Sequence, residues 1–199
     1  MRTFNLREFL ARSTDKPFEE TDLGKALESL PPLQKDGPWL AGGALRRTLL
    51  GQSIDSDFDL FFRDEAQLVA VGDVLDAVGW RRGTETDHVV NFFNGDLKVQ
   101  LIRFAYYANL EAVADSFDFT ICMLATDGEN IAVGDYTLWD LGRKRLAVHK
   151  ITFPVSSLRR VLKYANQGFI ACKGALTSIL KETVEKEELQ RNLDVKYVD

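Results

Sequence analysis

The sequence predicts an α+β fold of α/β-like character: a mixed β-sheet packed by helices, followed by a short helical tail. Three observations carry that expectation. From Trp39 onward, β-like and helix-like runs alternate, as a sheet covered by helices requires. Asn94-Gly95 separates two β-like runs, the strongest short-range signal of a hairpin. Beyond Pro154 the apolar spacing is helical almost to the end. With 199 residues, 45% of them hydrophobic, the chain can bury one core of ordinary size plus a helical annex.

The elements follow in order. A helix over Thr21 to Leu30 opens on Thr-Asp and is closed by Pro31-Pro32. The short apolar run Trp39-Leu40-Ala41 leads through Gly42-Gly43 into a helical stretch from Ala44 to Leu50, with Gly51 placed to cap it. Asp57 to Phe62 reads as a strand. Asp64 to Val78 has helical spacing through Leu68, Val71, Val74, Leu75 and Val78, and Gly79 sits at its C-cap. His88 to Phe93 and Leu97 to Phe104 form the predicted hairpin. A helix over Asn109 to Asp115 precedes a strand over Phe119 to Ala125, and Asp127-Gly128 turns the chain into Ile131 to Val133. Helices over Ser157 to Gln167 and from Gly174 to about Gln190 complete the chain, whose last residues are expected to fray. The division falls between residues 1–153 and a helical tail, 154–199.

The net charge of −5 gives no general attraction to nucleic acid, so any such contact must come from local basic groups. Arg46-Arg47, Arg81-Arg82, Arg143-Lys144-Arg145 and Arg159-Arg160 are the candidates. Two cysteines, Cys122 and Cys172, are too few for a disulfide framework and suit a reducing cytosol. No apolar leader and no membrane-length apolar run is present, so the expected location is cytoplasmic. Cys122 and the three tryptophans, Trp39, Trp80 and Trp139, are expected in the core. His88 and His149 show no metal-ligand spacing.

The chemistry concentrates in Gly42-Gly43-Ala44-Leu45-Arg46-Arg47-Thr48-Leu49-Leu50-Gly51 and Asp55-Ser56-Asp57-Phe58-Asp59-Leu60. On a strand, alternate side chains share a face. Asp57 and Asp59, joined by Asp55 if the strand begins there, therefore project together, and Phe58, Leu60 and Phe62 take the core side. Adjacent carboxylates repel unless a cation lies between them, and hard oxygen donors suit Mg²⁺ or Mn²⁺. Asp57 and Asp59 are thus the candidate catalytic and metal-ligating residues. Gly42-Gly43 ahead of a helix lets backbone approach a phosphate, and Arg46, one turn in, can add a bidentate contact. An Asp-x-Asp of this kind also occurs in sugar-nucleotide glycosyltransferases, but that reading leaves the upstream diglycine helix unexplained.

This order of blocks resembles the catalytic head of class II CCA-adding tRNA nucleotidyltransferases and bacterial poly(A) polymerases, of the polymerase-β-like nucleotidyltransferase superfamily. Those enzymes carry a diglycine, an arginine, a Leu-Leu-Gly and an Asp-x-Asp-Leu in this sequence. Their Arg-Arg-Asp-Phe-Thr-x-Asn-Ala-Leu-Ala is similar to Ser116-Phe117-Asp118-Phe119-Thr120-Ile121-Cys122-Met123-Leu124-Ala125. Asp127-Gly128, Trp139-Asp140-Leu141 and Arg145-Leu146 resemble the continuation, and Leu158-Arg159-Arg160-Val161-Leu162-Lys163 the opening of the neck helix. The likeness spans about Trp39 to Phe169. It implies a nucleotidyltransferase head of residues 1–153 with a short neck, 154–199. It implies Mg²⁺ (or Mn²⁺) as cofactor and NMP transfer from an NTP such as ATP to a hydroxyl, with the 3′ end of tRNA or another RNA as acceptor; the small size and acidic surface favour the alternative of a protein or small-molecule acceptor. It also implies nucleotide contact for Asp118 and Arg160.

The departures are equally specific. Ser116 and Phe117 stand where the family has paired arginines, and Arg47 replaces an aspartate. The neck's Glu-Asp-x-x-Arg, which reads the incoming base, is reduced to Ser156-Ser157-Leu158-Arg159-Arg160. Those serines also suit the cap of a helix beginning near Leu158. On the strand where related enzymes place a third carboxylate, this chain offers Lys98 and Gln100, leaving Asp118 as the nearby alternative. A nucleotide-binding module without turnover is the competing expectation.

Overall fold

The computed structural model describes residues 1–14, 16–55 and 57–185. The predicted mixed sheet packed by helices is present. Its eight strands are β1 (Arg2–Asn5), β2 (Trp39–Ala41), β3 (Phe58–Phe61), β4 (Arg81–Glu85), β5 (Val89–Asn94), β6 (Leu97–Ile102), β7 (Leu124–Thr126) and β8 (Asn130–Val133). They lie in the order β1-β8-β7-β2-β3-β6-β5-β4. Only β3 and β6 run parallel in this sheet; the other neighbours are antiparallel. A parallel pair needs a crossover, and α4 (Glu65–Ala77) lies on that connection.

The remaining helices are α1 (Leu6–Ser13), α2 (Asp22–Ser29), α3 (Gly43–Leu49), α5 (Leu110–Asp115), α6 (Thr137–Gly142), α7 (Pro154–Asn166) and α8 (Lys173–Glu185). A small parallel pair, β9 (Arg145–Leu146) and β10 (Ile170–Ala171), ties the start of the tail to the head. The polar starts anticipated from sequence are real caps. Thr21 accepts from Gly24 N, Asp64 from Gln67 N and Asn109 from Ala112 N.

Phe58, Leu60 and Phe62 enter a large core cluster together with Leu75, Phe92 and Leu101. On the other face Phe61 packs with Trp39, Ile102, Leu110 and Val113, so α5 roofs that side. Val161, Tyr164, Phe169 and Ile179 of the tail belong to the large cluster as well.

Several expectations change. β1, α1 and β4 carry no strong sequence signal: β1 is exposed throughout, and α1 buries only Leu6 and Leu10. Phe119 to Ala125 is not one strand, because Thr120–Cys122 makes a 3₁₀ turn before β7. Trp139 is exposed, with the Arg143 guanidinium 3.7 Å from its ring centroid. The predicted extension of the last helix to Gln190 and the frayed end lie outside the described residues. Among the described residues, no helix is long and apolar enough to cross a membrane.

Candidate active site

The register of β2, β3 and β6 assembles the chemical motifs. Asp59 stands opposite Ala41 on one side and Gln100 on the other. Because Ala41 leads directly into Gly42-Gly43, this pairing sets the diglycine beside the two aspartates. Strand β3 begins at Phe58, so Asp57 lies immediately before it and Asp55 lies outside it. Asp55 instead forms an ion pair of 2.6 Å with Arg47, which also donates to Ser53 O. The arginine standing for an aspartate thus pins the loop that delivers Asp57.

A cleft of about 460 Å³ opens at this end of β3, and Asp57, Asp59, Gln100, Gly43, Arg46, Asp118, Arg160, Lys163 and Tyr164 are among its lining residues. Burial first, then the charge of Asp57, push the Asp59 carboxyl up to about 7, against the opposing pull of Lys163, Arg160 and Lys98. Asp57 is steadied by Lys98, whose Nζ lies 2.8 Å from Asp57 Oδ2. The neighbouring strand therefore supplies a cation and an amide where a third carboxylate was sought. Asp118 does not fill that role either, being bound to the neck.

A divalent cation suits this donor set. Two carboxylates lie together at the start of β3, and burial and the neighbouring Asp57 charge push the Asp59 carboxyl up to about 7. Among the described residues, no group of three or more His, Cys, Asp or Glu side chains is arranged to hold a metal. The protein would thus contribute Asp57 and Asp59, and water and phosphate oxygens would complete the shell.

The opposite wall is cationic. Arg46 is only 3% exposed, yet no carboxylate pairs with it among the described residues. Its Nη1 donates to Cys122 Sγ (3.3 Å), its Nη2 to Gln167 Oε1 (3.2 Å), and its guanidinium lies 4.7 Å from the Tyr164 ring centroid. Its Nε has no partner among the described residues. Burial pushes the Cys122 thiol up, which keeps it neutral, so Arg46 faces no full counter-charge.

Asp118, buried, accepts from Ser157 Oγ at 2.8 Å and from Arg160 Nη1 at 2.7 Å. The neck arginine is held by a carboxylate of the head, not by one of its own helix. Ser157 does not cap α7, which starts at Pro154 with no side-chain cap. It lies inside the helix and turns inward to Asp118.

Of the predicted nucleotide-binding residues, the structure brings Gly43, Arg46, Asp118 and Arg160 to the cleft with Asp57 and Asp59. Gly42 is not among its lining residues. Its φ of +79° and the Phe117 ring, 2.9 Å from where a Cβ would stand, make it a packing glycine. Lys163 and Tyr164 were missed, although their spacing from Arg160 on one helix would have placed them nearby.

The fold is that of nucleotidyltransferases. The Thermotoga maritima CCA-adding enzyme complexed with tRNA superposes with a TM-score of 0.65 at 19% identity, over 96% of this chain and 48% of that one. A CCA-adding enzyme in complex with CTP gives 0.66 at 19% identity, over 96% and 47%. A tRNA nucleotidyltransferase with a primer tRNA and an incoming ATP analogue gives 0.53 at 22% identity, over 73% and 46%. The chain spans about half the length of these enzymes. In sequence it is 26% identical over 149 residues to Gabija anti-defense 2 of Bacillus phage SPbetaL7, which covers 73% of this chain and 37% of the phage protein. Residues 4–144, which hold the diglycine, both aspartates and Asp118, match the Gabija anti-defense 2 family, and the chain belongs to that family.

Proposed function

We propose that this chain is a nucleotidyltransferase, dependent on Mg²⁺ or Mn²⁺, that moves NMP from an NTP to an acceptor hydroxyl. The observation that carries this reading is the pairing of walls in one cleft. An under-neutralised carboxylate pair, Asp57 and Asp59, shares it with a buried arginine, Arg46, that has no carboxylate partner. A metal–triphosphate complex presents positive charge to the first wall and negative charge to the second.

In this reading residues 1–153 form the catalytic head and 154–199 a neck-like tail. Asp57 and Asp59 hold the divalent ion, which supplies charge neutralisation at the phosphates. Gly43 allows close backbone approach, and Arg46 and Lys163 take up triphosphate charge. Arg160, positioned by Asp118, faces the base. As the acceptor oxygen bonds to the α-phosphorus, the bond to the leaving pyrophosphate breaks.

The acceptor we favour is a protein of the Gabija defence, countered in the cytoplasm. The name of the phage relative points to that system. Several of the basic groups that might have served an RNA are already engaged, Arg47 by Asp55, Arg82 by Asp76, Arg145 by Asp140, and Arg81 and Arg143 by aromatic rings, which weighs against a broad phosphate-binding face. RNA, which the CCA-adding likeness favours, is the second reading.

The test is to incubate the protein with each labelled NTP, Mg²⁺, Gabija proteins and cellular RNA. Label should enter protein with the wild type. Asp57→Asn and Asp59→Asn should lose at least about 10³-fold of that transfer, or ~4 kcal/mol of barrier, with unchanged or raised melting temperature. Label in RNA would move the acceptor to RNA. Nucleotide binding without transfer would leave a binding module, and full activity in both variants would remove the assignment.

A further inference from the structure

Lys98 is the departure beside this cleft that the proposed function does not use. It lies on β6, in register with Phe93 of β5 on one side, and neighbours Val99, which pairs with Phe58 of β3. That register sets Lys98 beside Asp57. Its ammonium reaches Asp57 Oδ2 at 2.8 Å, with both side chains about one-third exposed, 35% and 31%. It is not among the residues lining the cleft, so it approaches Asp57 from the flank and leaves the cleft side of that carboxylate open.

Charge and donor count then limit what the site can hold. With both aspartates ionised, Asp57, Asp59 and Lys98 together carry −1, whereas three ionised carboxylates would carry −3. A pair of divalent ions needs ligands that bridge or surround both. Here one oxygen of Asp57 is already bonded to an ammonium, Asp55 lines the cleft but is ion-paired with Arg47, and Asp118 is bonded to Ser157 and Arg160. Gln100, opposite Asp59, offers at most a neutral oxygen.

We propose that the Asp57–Asp59 pair holds one divalent cation with its nucleotide, and that the Lys98 ammonium supplies at Asp57 the positive charge a second ion would bring. This rests on the nucleotide-site reading above. Lys98 is a positioning residue: it fixes the rotamer of Asp57 and lowers the charge the cleft presents to metal.

Electron paramagnetic resonance of Mn²⁺ with a non-hydrolysable ATP analogue reads this without turnover. The wild type should show an isolated Mn²⁺ signal saturating at one ion per nucleotide-bound chain. Lys98→Met, which keeps an unbranched chain of nearly the same length but removes the charge, should bind that ion about tenfold more tightly. Lys98→Glu should add a second ion and an exchange-coupled signal. A coupled pair in the wild type would overturn the proposal, as would unchanged Mn²⁺ affinity in Lys98→Met. Should Lys98→Glu not fold, those two measurements still decide. No Mn²⁺ bound to the wild type with nucleotide, and no difference from Asp59→Asn, would instead defeat the nucleotide-site reading itself.

Discussion

The two walls of the cleft are built in different ways. The sheet wall is built on adjacent strands: register sets Asp59 opposite Gln100, and Asp57, just before β3, is held from the flank by Lys98. The helix wall gathers Arg46 from α3, Asp118 from the turn after α5, and Ser157, Arg160 and Tyr164 from α7. The first wall is set mainly by strand register; the second holds together through side chains. The difference teaches where substitutions should damage chemistry and where they should damage assembly.

The largest effect expected on the helix wall is at Arg46. Arg46→Met keeps an unbranched chain against Tyr164 but removes a charge that has no carboxylate partner. Charge-assisted hydrogen bonds contribute about 1.5–3 kcal/mol each. NTP affinity by calorimetry should therefore fall about 10–100-fold, while stability holds or rises because an uncompensated buried charge is gone. A large fall in melting temperature with unchanged affinity would make Arg46 a structural joint only.

Next is Asp118→Asn, which weakens the bonds to Ser157 and Arg160 that tie the neck to the head. Arg160 is nearly half exposed, so water takes up part of its charge and the loss should be about 1–2 kcal/mol. That corresponds to a fall in melting temperature of about 2–8 °C for a chain this size. Selectivity among NTPs should also relax, since Arg160 loses its fixed orientation. Retained selectivity would show that the base is read elsewhere.

Gly42→Ala should cost about 1–2 kcal/mol, because a Cβ at positive φ would meet Phe117 at 2.9 Å. Nucleotide affinity measured on the folded fraction should change little, since Gly42 does not line the cleft. A selective loss of affinity would return it to the phosphate site.

The last prediction concerns pH. The Asp59 carboxyl is raised from 3.8 to about 7 in the fold. The folded protein therefore binds a proton there that the unfolded chain has lost, and stability falls as pH rises through that window. The Asp59 contribution is fully present below pH about 4 and gone above about 7. Comparing the melting temperature of the wild type and Asp59→Asn from pH 4 to 8 without metal isolates it: the difference should move in the variant's favour as pH rises. Added Mg²⁺ should remove that trend in the wild type. Parallel curves without metal would show that Asp59 is ionised throughout.

The site was legible where its logic is local. The shared face of Asp57 and Asp59 follows from the two-residue period of a strand, and Phe58, Leu60 and Phe62 buried as that period requires. The caps at Thr21, Asp64 and Asn109 were legible for the same reason, since each satisfies an amide within three residues. Edge elements such as β1 and β4 were not, because their exposed residues carry no alternation. Trp139 was misplaced because hydrophobicity says nothing of which face a short helix buries.

By itself, the sequence determined that two carboxylates, a diglycine helix and a neck arginine would exist and in what order. Only the tertiary structure decided which cation answers which carboxylate. Lys98 takes Asp57 across 41 positions, Arg160 takes Asp118 across 42, and Arg46 reaches Gln167 across 121. Such pairs depend on strand register and helix packing between distant segments, and no period in the chain encodes them. The charge left over after that pairing, negative on one wall and positive on the other, is the basis of the proposed site for a metal-bound nucleotide.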